Sequence, residues 1–297
     1  MRVNTTASPS QSLPSAPNPL RARLREMWDG VAPGWEANVD FVDARGAEVT
    51  ARMLELAAPT PGERVLELAC GPGGPGFAAA ALVGPDGYVV VSDVSPAMTA
   101  IAARRARALD LHAVEARVLD LEEIDEPDEA FDAVFCREGL MLVADPVRAA
   151  REIRRVLRPG GRLVLSVWGP RRENPWLGLV FDTVGAQLGA PMPPPGVPHP
   201  FSLDDRDRLA EVLSAAGLVS VVIAELPTPY RAATVDEWWS RTAVLAGPLA
   251  RRLAALEPME ASQLRDRATQ AASPYLGPDG LQFPGVSLLA TARREDA

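Results

Sequence analysis

Between Phe41 and Trp168 the sequence switches repeatedly between two hydrophobic periods, and this alternation is the strongest constraint on its fold. "FVDARGAEVTARMLELA" carries apolar residues at helical spacing, "TPGE" breaks it, and "RVLELA" is a short apolar run of the kind buried in a sheet. "GFAAAALVG" reads as a helix and "YVVVSD" as a strand; Ser95 and Pro96 then cap and start the helix "AMTAIAARRARAL". "AVEARVLDL" and "FDAVFC" are the third and fourth strands, "DPVRAAREIRRVL" is a helix stopped by "RPGG", and "RLVLSVWG" is the fifth strand. Strands joined by helical crossovers lie parallel and are covered on both faces, which makes a doubly wound α/β sheet. In such sheets the ligand crevice lies at the C-terminal strand ends.

After Gly169 the regularity fails. "PRRENPWLGLVFDTVGAQLGAPMPPPGVPHP" is proline-rich with one amphipathic helix and reads as a lid. Ser202 with Asp205 resembles a capping box for "DDRDRLAEVLSAAG", "LVSVVIAEL" is a sixth strand, and Thr234 with Glu237 opens a second helical insertion. "GVSLLATARR" is the last strand. The expected organisation is a flexible tail over 1–20, a ligand-binding core with N-terminal covering helices over 21–169, and the remaining strands over 170–297, with helical lid insertions at 170–200 and 227–284.

"VLELACGPGGPG", from Val65 to Gly76, contains G-x-G-x-x-G at Gly71, Gly73 and Gly76, with Asp93 following at the distance a ribose ligand would take. That pattern suits a nicotinamide or flavin dinucleotide, whose pyrophosphate would sit on the helix N-terminus. Glu67, inside the strand, would repel a pyrophosphate; it suits an adenosyl cofactor with a cationic amino-acid end and no phosphate. The chain has no lysine, so all 30 basic residues are Arg. A Walker loop, a pyridoxal phosphate Schiff base and a Tyr–Lys dehydrogenase pair are thereby excluded.

The ordered segments "VLELACGPGG", "VSDVSPAM", "VLDLEEI" and "CREGLMLVADPVRAAREIRRVLRPGGRLVLSVW" resemble the motifs of class I S-adenosylmethionine-dependent methyltransferases, of the UbiE-like small-molecule group, continuously from Val65 to Trp168. Ala69 stands where that family often has its first glycine. The resemblance implies a Rossmann-like sheet, mostly parallel with an antiparallel last strand, a helical cap, and S-adenosylmethionine as cofactor with S-adenosylhomocysteine as product. It implies backbone approach at Ala69, Gly71 and Gly73, and Asp93 accepting both ribose hydroxyls, since a carboxylate offers two acceptors to a vicinal diol. Val94 and Met98 would flank the adenine, Asp120 and the Leu121 N–H would read its edge, and the Cys136 carbonyl would face the amino-acid end. Glu67 would either lie near that end or cap the following helix.

Trp28 and Trp35 precede the sheet and either cover the ligands or fill core, while Arg137, Glu138 and Trp168 are candidates for lining the substrate side. Arg137 and Glu138 have a plain surface ion pair as their alternative. Of the two histidines, His112 falls in a turn away from the crevice, and His199, in "GVPHPF", is the candidate general base. The insertion around Trp238 and Trp239 is expected, with the first lid, to select the acceptor. Cys70 and Cys136 lack zinc spacing and read as buried thiols, and no metal site is expected.

A net charge of −9 argues against nucleic-acid and anionic-membrane partners, and no apolar run approaches the roughly 18 residues of a spanning helix. The Ser- and Pro-rich start lacks the apolar core of a signal peptide, which points to the cytoplasm. The expected activity is methyl transfer to O or C of a quinone-like or specialised metabolite, with a homodimer open. The rival readings are a non-methylating cyclase that binds the same cofactor, an NAD-dependent oxidoreductase and a non-catalytic module.

Overall fold

Short apolar strands bury both faces only by lying side by side beneath helices, and the computed structural model, describing residues 18–296, shows them doing so. Strands β1 (Arg64–Leu68), β2 (Tyr88–Asp93), β3 (Val114–Val118), β4 (Phe131–Arg137) and β5 (Leu157–Trp168) pair in parallel. Strand β6 (Val219–Pro227) forms the edge beyond β10 (Val286–Arg293), which is antiparallel to both of its neighbours. The order is β3-β2-β1-β4-β5-β10-β6, so the chain reverses direction across the sheet between β1 and β4 and opens a crevice at their C-terminal ends.

Alternate residues divide between the two faces. Val65, Val89, Val91, Ala133 and Phe135 face α2 (Val39–Ala57) and α3 (Pro75–Val83). Leu66, Val90, Val134 and Leu165 join the core of α5 (Pro146–Val156), α6 (Pro175–Leu188) and α7 (Arg206–Ala215). Helix α4 (Pro96–Ala108) begins as read, with the Ser95 hydroxyl accepting from Met98 N–H at 3.1 Å.

Helix α1 (Pro19–Ala37) covers the crevice and packs on α4. Its N-cap is Asn18, whose Oδ1 accepts from Leu20 N–H, so the helix starts inside the expected tail; residues 1–17 of that tail lie outside the described residues. The Asp29 carboxylate of α1 accepts from the Ser95 hydroxyl and from Ala97 N–H, pinning α1 to the start of α4. These bonds to the ionised form hold the Asp29 carboxyl below the usual range.

Three further local readings are corrected. The third strand stops at Val118 because Leu119 N–H donates to the Asp93 carbonyl and Asp120 then turns the chain, its Oδ1 accepting from Glu122 N–H. "RPGG" lies within β5, as a register slip between the Phe131–Leu157 and Ala133–Arg162 pairs, where Gly160 takes φ +71°. The cap of α7 is Asp205, accepting from Arg208 N–H at 2.9 Å; Ser202 instead accepts from His199 N–H.

The second insertion is not purely helical. Besides α8 (Val235–Leu245), α9 (Pro248–Ala254) and α10 (Pro258–Ala272), it holds a small antiparallel sheet of β7 (Tyr230–Ala232), β9 (Gly280–Phe283) and β8 (Leu276–Gly277). These strands are too short for a periodic signal. They exist because Tyr230 is buried against Trp176 and Phe283 against Trp238, with Leu281 also buried in the same small sheet. Thr234 caps α8 as expected, its hydroxyl accepting from Glu237 N–H. Among the described residues no helix is long and apolar enough to cross a membrane.

Removing the Asp29 carboxylate should free α1 from α4 without harming the sheet. Limited trypsinolysis of Asp29→Ala is expected to cut several-fold faster after Arg21, Arg23 or Arg25 than wild type, with little change in Tm. Unchanged cleavage would place the hold on α1 elsewhere.

Candidate active site

The crevice is a single continuous cleft roofed by α1 and α8 and by Leu177 and Pro200 of the first lid. One end is built by the turns after β1, β2 and β3. Asp93, ending β2, stands on the cleft wall with Oδ2 accepting from Gly71 N–H and Oδ1 from Ser95 N–H, both at 2.9 Å. Each oxygen keeps a second lone pair for a ligand donor. Burial pushes the Asp93 carboxyl up to about 6, against the pull of its backbone donors.

The glycine turn is held at positive φ at Ala69 (+53°), Gly71 (+54°) and Gly73 (+116°). A Cβ at Gly73 would lie 2.3 Å from the Phe77 ring, so helix packing requires glycine here, and Gly73 does not line the cleft. Ala69 and Gly71 do line it, and the Trp35 ring lies within 4 Å of where a Cβ on Gly71 would stand. Trp28 and Trp35 meet edge-to-face at 6.3 Å on the roof, and Trp35 Nε1 is buried without a partner. Val94, Met98 and Leu121 complete an apolar slot beside Asp93.

Glu67 and Cys136 lie behind this wall rather than on it. Glu67 Oε2 accepts from Gly76 N–H at 2.8 Å, and its carboxylate fills the space a Cβ at Gly74 or Gly76 would need. Of the two placements open to it, the side chain takes the helix cap. Burial raises its carboxyl to about 7, opposed by Arg137 and the Gly76 N–H. Cys70 and Cys136 are buried thiols, and burial pushes Cys136 up to about 12, so neither is a thiolate near neutrality.

Asp120 lines the cleft, but its Oδ2 accepts from Arg21 Nε and Nη2 at 2.9 and 2.7 Å. The partner is an α1 residue for which no sequence signal spoke. Arg137 and Glu138 line the mid-cleft and form no ion pair with each other: Arg137 donates to Thr50 Oγ1 at 2.9 Å.

At the far end stand Trp168, as expected, and five residues the sequence reading missed: Arg45, Trp176, Tyr230, Arg241 and Thr242. They come from α2, β5, α6, β7 and α8, and no local pattern links them. His199 is not among the lining residues. Its Nδ1 accepts from Phe201 N–H at 3.1 Å, and burial lowers its pKa, so the candidate base is turned into its own loop. Trp238 does not line the cleft either; it is fully buried, and its Nε1 donates to the Trp176 carbonyl at 2.8 Å, supporting the wall from behind.

A turn that brings backbone to the cleft, a carboxylate at the second strand end and an apolar slot beside it fit an adenosyl group, and none of them is a phosphate cradle. Residues 59–175 match the model of a methyltransferase domain family. The chain is 38% identical over 165 residues to the ubiquinone/menaquinone biosynthesis C-methyltransferase UbiE of Ectopseudomonas mendocina, covering 54% of this chain and 63% of that protein. It is 33% identical over 221 residues to the nocamycin O-methyltransferase of Saccharothrix syringae, covering 67% of this chain and 77% of that protein. The fold superposes on the YcgJ protein of Bacillus subtilis with a TM-score of 0.58 at 18% identity, over 84% of this chain and all of that one. The chain belongs to the class I S-adenosylmethionine-dependent methyltransferases. S-adenosylmethionine is the cofactor of that family, and the chain spans less than two thirds of some of its relatives, 63% of the UbiE protein among them.

Two outcomes are expected. Asp93→Ala should weaken S-adenosylhomocysteine binding at least tenfold by calorimetry, since hydrogen bonds to a charged group contribute about 1.5–3 kcal/mol each. An unchanged Kd would place the ribose elsewhere.

The second concerns pH. Glu67 and Asp93 are raised in the folded protein above their ordinary values of 4.5 and 3.8. The folded state therefore binds more protons than the unfolded chain between about pH 4 and 7, and stability falls as pH rises through that window. His199, lowered from 6.5, contributes with the opposite sign and offsets part of the fall. The lowered Asp29, Glu115 and Glu152 already contribute fully above about pH 4.5. Ligand-free Tm should be lower at pH 7.5 than at pH 5.5, and Glu67→Gln should flatten the slope. A slope unchanged in that variant would assign the proton to another group.

Proposed function

We propose that this chain transfers a methyl group from S-adenosylmethionine to an oxygen or carbon of a small, largely apolar acceptor. The observation that carries this reading is the single cleft, running from Asp93 and Gly71 to the aromatic end at Trp168 and Trp176 under a continuous roof. Bound S-adenosylmethionine supplies an electrophilic methyl group on a sulfonium. Asp93 would hold the ribose diol, Ala69 and Gly71 would admit it closely, and Val94, Met98 and Leu121 would clamp the adenine. Glu67 and Cys136 serve the same site from behind, Glu67 by capping α3 under the glycine turn. Trp28 and Trp35 exclude water, and the lid holds the acceptor against the cofactor end, where positioning supplies most of the acceleration. The names of the relatives, a quinone-pathway C-methyltransferase and a nocamycin O-methyltransferase, support acceptors of quinone-like or specialised-metabolite type.

Incubating the protein with methyl-labelled S-adenosylmethionine and small-molecule extracts should give a labelled product and an equal yield of S-adenosylhomocysteine. A converted, unlabelled product without S-adenosylhomocysteine would instead assign a cyclase. Because His199 faces its own loop, His199→Ala should keep more than about a third of wild-type turnover from pH 6 to 9. A loss of roughly 10²–10⁴ would reinstate it as a general base.

A further inference from the structure

The charge placed at the aromatic end of the cleft narrows the acceptor further. The Arg45 guanidinium lies over the rings of Trp168 at 4.2 Å, Trp176 at 4.5 Å and Tyr230 at 5.6 Å from their centroids. Among the described residues it forms no ion pair within 4.0 Å, and its Nε is buried without a hydrogen-bond partner. Burial lowers its pKa, and Arg137 acts in the same direction against the pull of Glu138 and Tyr230. The other two arginines in this part of the cleft are engaged, Arg137 by Thr50 and Arg241 by Glu237.

Arg45 is half-buried with its Nε inaccessible, and a guanidinium partly withdrawn from water without an ion pair is costly unless an anion meets it; the aromatic faces return only part of that cost. Three more polar atoms on residues lining this end are buried without a partner: Trp176 Nε1, the Tyr230 hydroxyl and Thr242 Oγ1. Burial pushes the Tyr230 phenol up to about 12 against the pull of Arg45 and of Arg241, which approaches it without meeting hydrogen-bond geometry, so the phenol is a neutral donor. Buried polar groups are normally satisfied, and here four unsatisfied ones belong to residues that line this end of the cleft. Two of the four, on Arg45 and Trp176, can only donate.

We propose that this end of the cleft binds an oxygen anion delocalised over two oxygens, a carboxylate or a 1,3-dicarbonyl enolate on a flat apolar skeleton, and that Arg45 is the residue that selects it. The inference rests on the methyl-transfer reading and names its acceptor class. The guanidinium fork matches a two-oxygen anion. The apolar walls, Phe41, Met141, Leu142 and Trp168, accept the skeleton. An ammonium acceptor is repelled by the same charge. An acceptor that arrives ionised has no proton to lose, which accounts for a cleft without a histidine on its wall.

The test is calorimetry on the full chain, first with S-adenosylhomocysteine and then, at saturating S-adenosylhomocysteine, with three probes: 2-naphthoate, 2-acetylcyclohexane-1,3-dione as its enolate, and neutral 2-naphthamide. At least one anion should bind wild type tenfold or more tighter than the amide, and whichever does so tells carboxylate from enolate. Arg45→Met should erase the preference and Arg45→Lys should keep part of it, with S-adenosylhomocysteine affinity unchanged in both. The Tm of ligand-free Arg45→Met should equal or exceed wild type, because a half-buried charge without an ion pair is removed. No anion preference in wild type, or a preference that survives Arg45→Met, overturns the proposal. So does a fall in Tm, which would make Arg45 a structural cation of the aromatic cluster. Failure to bind S-adenosylhomocysteine would count against the methyltransferase reading instead; binding it without anion preference would overturn only the anion site.

Discussion

Asp93 is the junction on which the cofactor end of the cleft depends. One carboxylate at the end of β2 accepts a hydrogen bond from the glycine turn and another from the residue that caps α4. Two turns that would otherwise move independently are thereby joined across the crevice. Asp29 extends the junction by binding the same cap from the side of α1, so the roof is referenced to the strand end it covers. A network of charge-assisted bonds to backbone N–H groups is stiff, and stiffness is what a positioning mechanism needs.

Beneath the turn, Glu67 and Arg137 do a different job. The Glu67 carboxylate occupies volume that only glycine at 74 and 76 leaves open, and it caps α3. Arg137, half-buried, stands beside it and reaches Thr50 on α2, so a strand, a turn and two helices converge on these two side chains. The glycines at 73, 74 and 76 therefore make room for protein groups, Phe77 and Glu67. The motif is as much a packing device as a binding device.

The acceptor end is organised by aromatic rings. Trp176 stacks on Tyr230 at 4.9 Å and 6°, Trp168 tilts against Trp176, and Trp238 locks Trp176 by bonding its carbonyl. Rigid rings with few rotatable bonds hold a cavity open at low entropic cost. That frame holds the Arg45 guanidinium over the aromatic faces, where it makes no ion pair within 4.0 Å among the described residues.

By itself the sequence determined the alternating sheet, the glycine turn with Asp93 at its spacing, and the caps of α4 and α8. All of these follow from local patterns, periodicity and caps that act within a few residues. Tertiary structure alone decided that Glu67 turns beneath the loop, that Arg21 takes Asp120, and that His199 faces its own backbone. It also brought Arg45, Trp176, Tyr230 and Thr242 to one wall from four separate elements, and built the small sheet from strands of two to four residues. The reason is the same in each case. These placements are set by side-chain packing and charge pairing between segments far apart in the chain, and neither leaves a period, a cap or a spacing in the sequence.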